Sequence, residues 1–220
     1  MQIAPMKAAL VLSIAAALVF AGLTLWQRNR RIALAREHRI RSFVFPGGVL
    51  QELSKSYPQL ELRDLQLAAR ALRQFFLVHA RARGALIAMP SKVTDALWHA
   101  FILDTRAYRA FCHSAFGSYL HHIPEGAMHG RNNDGAAIWR TWRLACLEEN
   151  INPVKATRLP LLFAIDLKLS IEGAVQYDPR SFKRPAGTSN GGGGCGGGDG
   201  CSGGDGGCGG GCGGGCGGGD

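Results

Sequence analysis

The chain has 220 residues, a formal net charge of +9, 31 Gly and 7 Cys, and these totals sum three unlike pieces. Residues 191–220 hold 21 of the glycines, five of the cysteines and three aspartates, so this tail carries −3 and everything before it +12. The stretch 42–190 is long enough for one domain with its own core and not for two, which excludes a large multidomain enzyme and a fully disordered chain.

Ala8 to Trp26 run for 19 residues without a charge. As a helix this reaches about 28 Å, close to the hydrocarbon thickness of a bilayer, and predicts one transmembrane helix. Val19-Phe20-Ala21 also offers a signal-peptide cleavage site, but charge argues against removal. Only Lys7 precedes the run, whereas Arg28, Arg30, Arg31, Arg36, Arg39 and Arg41 follow it, with Glu37 the only acid among them. Positive charge placed there resists translocation. The expectation is therefore a single-pass protein of the bacterial inner (cytoplasmic) membrane, N-terminus out and C-terminus cytoplasmic. Residues 1–41 then form the anchor with an Arg-rich flank, and the lipid bilayer is a partner. The arginines need no role beyond marking topology. No aromatic-interleaved basic motif accompanies the charge, so no nucleic-acid partner is expected. Of the seven cysteines only Cys112 and Cys146 precede the tail, which suits reduced thiols better than a disulfide scaffold.

Ser42 to Gly48, with Pro46 and a Gly pair, ends the anchor helix and opens the domain, taken as 42–177. Between Asp64 and Arg83 the residues Leu65, Ala68, Ala69, Leu72, Phe75, Phe76 and His79 recur at helical spacing, and Gly84 is a suitable stop. Ser91 is a candidate N-cap for one helix from Lys92 to about Phe116, its apolar stripe including Val93, Leu97, Trp98, Phe101, Tyr108 and Cys112. On that straight helix Asp95, His99, Arg106 and His113 fall on one flank. His121-His122-Ile123-Pro124 follows as a loop, 126–135 reads as loop, and Ala136 to Glu149 as a third helix. A short helix after Pro160 and an extended piece ending near Tyr177 complete a mainly α domain. Residues 178–190 read as a linker.

The run MPSKVTDALWHAFILDTRAYRAFCHSAFGSYLHHIPE at 89–125 carries Asp95, then Trp98-His99, then Tyr108 and Cys112. It resembles a bacterial family related to plant glycine-rich domain proteins. Downstream landmarks are similar too, in Thr141-Trp142-Arg143, Cys146 and LPLLFAID at 159–166, so the resemblance covers about two thirds of the chain. It implies a domain of unknown biochemical function to which a Gly-rich segment is often attached. Plant members often show Trp-His-x-His where this chain has Trp98-His99-Ala100-Phe101.

Asp95 and His99 are one helical turn apart, so both could reach one zinc or other divalent ion, or the carboxylate could fix the imidazole. A third ligand would have to come from His121 or His122, or from His79 or Cys146, because His113 is too far along the helix. The simpler reading, which the sequence favours, is a polar brace without any cofactor: Asp95 accepts from His99, and His121 and His122 tie the loop to the helix end. Cys112 sits mid-stripe, buried and inert, and His79 reads as a half-buried structural histidine. In the tail, Cys195, Cys201, Cys208, Cys212 and Cys216 stand among glycines with no larger apolar side chain, which predicts disorder. The last three have spacing within the range of zinc sites, and strings of Gly and Cys also resemble precursor peptides modified at cysteine. The leading expectation is thus a non-enzymatic, membrane-anchored interaction or scaffold module with a protein partner. A metal-dependent enzyme using Asp95, His99 and the His121-His122 loop, or a substrate of a cysteine-modifying system, are the alternatives.

Overall fold

The computed structural model describes residues 3–122 and 134–182, with side chains from Ala15 in the first stretch and Gly135 in the second. Among these residues the chain forms seven helices and no strand: α1 Ile3–Ser42, α2 Gly47–Ser56, α3 Leu62–Ala82, α4 Lys92–Leu103, α5 Thr105–Ala115, α6 Asp134–Glu148 and α7 Leu161–Lys168. The chain divides into two units, 1–188 and 189–220. The second unit, with Cys195, Cys201, Cys208, Cys212 and Cys216, lies outside the described residues, as do Ile123-Pro124 and most of the expected 126–135 loop.

Helix α3 is the axis of the domain, packing against α1, α2, α4, α6 and α7. Its apolar stripe predicted one buried face. The structure also buries Ala71, Gln74, Leu77 and Val78, because neighbours close around it on several sides. Asp64 accepts from the Glu61 N–H at 3.0 Å at its start, and Arg83 (φ 49°) and Gly84 (φ 83°) turn the chain left-handed at its end. Helix α2 was not legible in the sequence, where Gly47 and Gly48 masked a two-residue apolar stripe, Val49 and Leu53.

The single helix expected from Lys92 to Phe116 is two. At Asp104 the backbone leaves helical geometry (φ −77°, ψ 71°), and the Asp104 carboxylate accepts from the Ala107 N–H at 3.2 Å, capping α5. The shared flank of Asp95, His99, Arg106 and His113 is therefore split between two helices. Phe101, Tyr108, Phe111 and Cys112 all enter the core, where Phe43, Phe45, Phe76 and Phe101 form a contiguous group of rings with Phe111.

The N-terminal expectation is corrected. Among the described residues no helix is long and apolar enough to cross a membrane. Within α1 the apolar run ends at Trp26, and Gln27, Arg28, Arg30 and Arg31 make the following turn strongly polar. The transmembrane helix, and with it the single-pass inner-membrane location, is not supported. The arginines also do more than mark topology. Arg39 donates to the Ser114 carbonyl at 3.1 Å, and Arg41 and Arg81 both pair with the nearly buried Glu148, while Glu37 accepts from Arg81 at 3.1 and 3.2 Å. With Ile40 fully buried, the last two turns of α1 belong to the folded domain. At the other end Phe182 stacks on Trp142 at 4.2 Å, so packing also continues past Tyr177.

Two helix N-termini are closed by side chains far away in sequence. Asp166 on α7 accepts from Ser91 Oγ (2.7 Å) and from the Lys92 and Val93 amides (2.6 and 3.2 Å) at the start of α4. In the reverse direction, the α7 amides of Leu161 and Leu162 donate to Glu149 Oε1 (2.5 Å) and Gln74 Oε1 (2.9 Å), and Gln74 Nε2 donates to Glu149 at 2.9 Å. Burial raises the Glu149 carboxyl, but the Leu161 amide, Arg158 and Gln74 outweigh it and hold it below its ordinary value. A carboxyl depressed on folding contributes its stability in full above the unfolded value, about 4.3, and loses it as pH falls through the lower folded value. Glu149→Gln should therefore lose less stability than wild type between about pH 5 and pH 3, measured as the urea midpoint at each pH. Equal acid sensitivity of the two proteins would contradict this role.

Candidate functional site

Asp95 lies in the first turn of α4, whose start is fixed by Ser91 Oγ, accepting from the Thr94 amide at 3.1 Å, and by Asp166. His99 follows one turn later on the same face, with Nδ1 2.9 Å from the Asp95 carbonyl oxygen and 3.2 Å from Oδ2. The third member, His122, comes from beyond α5, and its Nε2 lies 2.9 Å from Asp95 Oδ1. The two imidazole rings are 4.3 Å apart. Each of the three side chains offers one ligand atom, and these atoms lie within 4.8 Å of one another. Exposure is graded: 13% for the His122 side chain, 34% for Asp95 and 53% for His99.

A chain of hydrogen bonds places His122. Trp98 Nε1 donates to the Tyr108 hydroxyl (3.1 Å), which donates to the Leu120 carbonyl (2.6 Å) two residues before His122. Burial pushes the Tyr108 hydroxyl far above its usual range, so it stays protonated as a donor. The Trp98 ring meets the His122 ring edge-on at 4.5 Å. The break at Asp104 allows this, because it turns α5 back so that Tyr108 reaches Trp98. Thus Asp95, Trp98, His99 and Tyr108, four of the five residues that carried the sequence resemblance, converge on one small region.

His121 does not join the cluster; its ring packs against Tyr119 at 4.9 Å. Arg106 and His113 lie on α5, outside the group that Asp95, His99 and His122 form among the described residues. Cys112 is buried, and burial holds its thiol up, while Cys146 is pushed up to about 12 by burial and by Glu149. Neither thiol is a ready nucleophile. His79 is half-buried beside Phe116, and burial lowers its pKa, so it is neutral at pH 7.

Asp95 and His122 stand in the lining of a cavity of about 620 Å³. Phe75 and His79 of α3, Trp98 of α4 and Leu120 form one side, and residues 84–90 another. Ile138, Val175 and Tyr177 complete it. The 84–90 segment is held to α6: Thr141 Oγ1 accepts from the Ala88 amide (3.0 Å) and lies 2.9 Å from its carbonyl, and Arg140 donates to the Leu86 carbonyl. Tyr177 Oη reaches the Pro90 carbonyl at 3.2 Å.

Sequence reasoning did not assign a role to Asp166 or Tyr108. A signal for Asp166 was available, since it is the one charge in the apolar run from Leu159 to Leu167, and a charge buried there must be paired. Tyr108 was placed in the apolar stripe of the expected helix, which gives its side of the helix but no partner for its hydroxyl.

A family model described as UCP032817-like matches residues 35–198. The match begins beside Arg36, the first described residue of α1 that is partly buried. No curated protein and no solved structure matches the chain.

Proposed function

The chain belongs to the UCP032817-like family, and we propose that its domain is a metal-dependent enzyme acting on a small molecule. Asp95, His99 and His122 hold one divalent transition-metal ion at the wall of the 620 Å³ cavity. The observation that carries this reading is the convergence of one ligand atom from each of three side chains, spread over 28 residues of sequence, to within 4.8 Å. Two imidazole nitrogens and one carboxylate suit Zn²⁺, Fe²⁺, Co²⁺ or Ni²⁺ better than Mg²⁺ or Ca²⁺. Three protein ligands leave coordination positions open, as in catalytic rather than structural sites. Since Asp95 and His122 line the cavity, those positions face a space that a substrate can enter. An ion there supplies a Lewis acid or an activated water. Without the ion, His99 and His122 hydrogen-bond to Asp95 and hold the three ligand atoms together.

Zinc and cobalt titration of the full chain carrying Ser in place of Cys195, Cys201, Cys208, Cys212 and Cys216, which removes the competing tail thiols, followed by calorimetry and by Co²⁺ absorption, tests the reading. One ion per chain is expected, with affinity lowered at least about 100-fold in Asp95→Asn and His122→Gln. Binding should weaken as pH falls through the histidine range, because the ion must displace protons from both imidazoles. A chain that binds no ion, or binds it equally well without His122, would leave the three residues as a brace and remove the enzyme reading.

A further inference from the structure

The cavity beside the cluster is charged at one end and apolar over the rest of its wall. It holds far more than an ion and its waters, and its volume lies within the range of small-molecule sites. Most of its wall is apolar, from Phe75, Ile87, Met89, Trp98 and Ile138. Among the described lining residues Asp95 is the only acid, Lys92 the only Lys, and there is no Arg. Lys92 stands three residues before Asp95 on α4, which puts the two side chains on neighbouring turns of one face. Its ammonium has no carboxylate within ion-pair distance among the described residues, although Asp166 lies at its backbone amide. It extends over Gly173, where an added Cβ would come 2.6 Å from Nζ, and so lies beside the segment that carries Val175. With a divalent ion on Asp95 the charge at this end of the cavity is net positive, while the rest of the wall is apolar.

We propose that the cavity binds an amphipathic monocarboxylate. Its carboxylate bridges the bound ion and Lys92 Nζ, and its apolar body lies along Phe75, Trp98 and Ile138. This rests on the metal reading for one of the two head-group contacts; the Lys92 contact stands without it. A single ammonium beside one ion matches a singly charged head. A phosphate dianion would call for the bidentate guanidinium donors that the described lining lacks.

The test uses the full chain with its five tail cysteines replaced by Ser, decanoate as probe and decanol as its neutral counterpart, by calorimetry, with and without stoichiometric Zn²⁺. Decanoate should bind one per chain and at least about tenfold more tightly than decanol, a preference set by the head group alone. Lys92→Gln keeps the backbone amide that Asp166 holds, so α4 stays capped. It should abolish most of the preference while leaving decanol affinity and zinc affinity within about twofold. Added Zn²⁺ should strengthen decanoate and not decanol. Equal affinities for the two probes, or a preference untouched by Lys92→Gln, overturns the inference even where zinc binds normally. Failure of the zinc titration overturns the metal reading instead. A decanoate preference that still depends on Lys92 then upholds the cavity assignment, and its absence removes that too.

Discussion

Asp166→Ala should lower folding stability by about 3–5 kcal/mol, the largest loss expected from any single polar substitution in the domain. The carboxylate is 4% exposed and accepts from the Ser91 hydroxyl and two main-chain amides at the start of α4. A hydrogen bond to a charged group contributes about 1.5–3 kcal/mol, and removing the acceptor leaves its donors desolvated without partners. The helix N-terminus adds a smaller favourable term for negative charge. Asp166→Asn keeps the volume and one acceptor oxygen but turns an NH₂ group toward donors, so it should lose about half as much. Asp104→Ala, at the half-buried cap of α5, should cost only about 1 kcal/mol. Urea midpoints at constant m-value measure all three. A loss below about 1 kcal/mol for Asp166→Ala would show that α4 starts where it does without help from α7.

Which of these features the sequence could reveal follows from the range of the interaction that fixes each. Periodicity is local, so α3, α6 and the short helix after Pro160 were legible within a residue or two. The break at Asp104 was local as well, but the apolar stripe from Val93 to Cys112 keeps its period across it and suits one helix. The pairing of Asp95 with His99 follows from i, i+4 spacing and was readable. Its completion by His122, rather than His121, depends on where Leu120 is held, which is a tertiary matter decided by Trp98 and Tyr108. The arginines after Trp26 show the opposite failure. Their density had a sufficient explanation in topology, and only the fold reveals that Arg39 reaches Ser114 and that Arg41 pairs with Glu148.

Tyr108→Phe should weaken binding of the proposed ion by about 10–100-fold, although Tyr108 touches none of the three ligands. The hydroxyl links Trp98 Nε1 to the Leu120 carbonyl, and removing it takes a partner from a buried donor and from a buried acceptor at once. The Leu120–His122 segment then keeps only the weaker Cys112 thiol contact to α5, and the His122 imidazole loses the fixed approach that brings Nε2 to 2.9 Å from Asp95 Oδ1. Stability should fall too, by about 2–4 kcal/mol, so affinity must be measured well below the unfolding transition with the folded fraction checked. Co²⁺ absorption separates the two effects. A positioning role predicts an altered spectrum in the fully folded variant, whereas a purely structural role predicts a wild-type spectrum on a less stable protein. Tyr119→Phe is the matched control. Its ring packs against Tyr108 at 5.3 Å, but Tyr119 is 45% exposed and its hydroxyl is not part of the chain to Leu120. It should leave affinity and spectrum unchanged. Wild-type affinity in Tyr108→Phe would mean that His122 is held by its contacts with Trp98 and Asp95 alone.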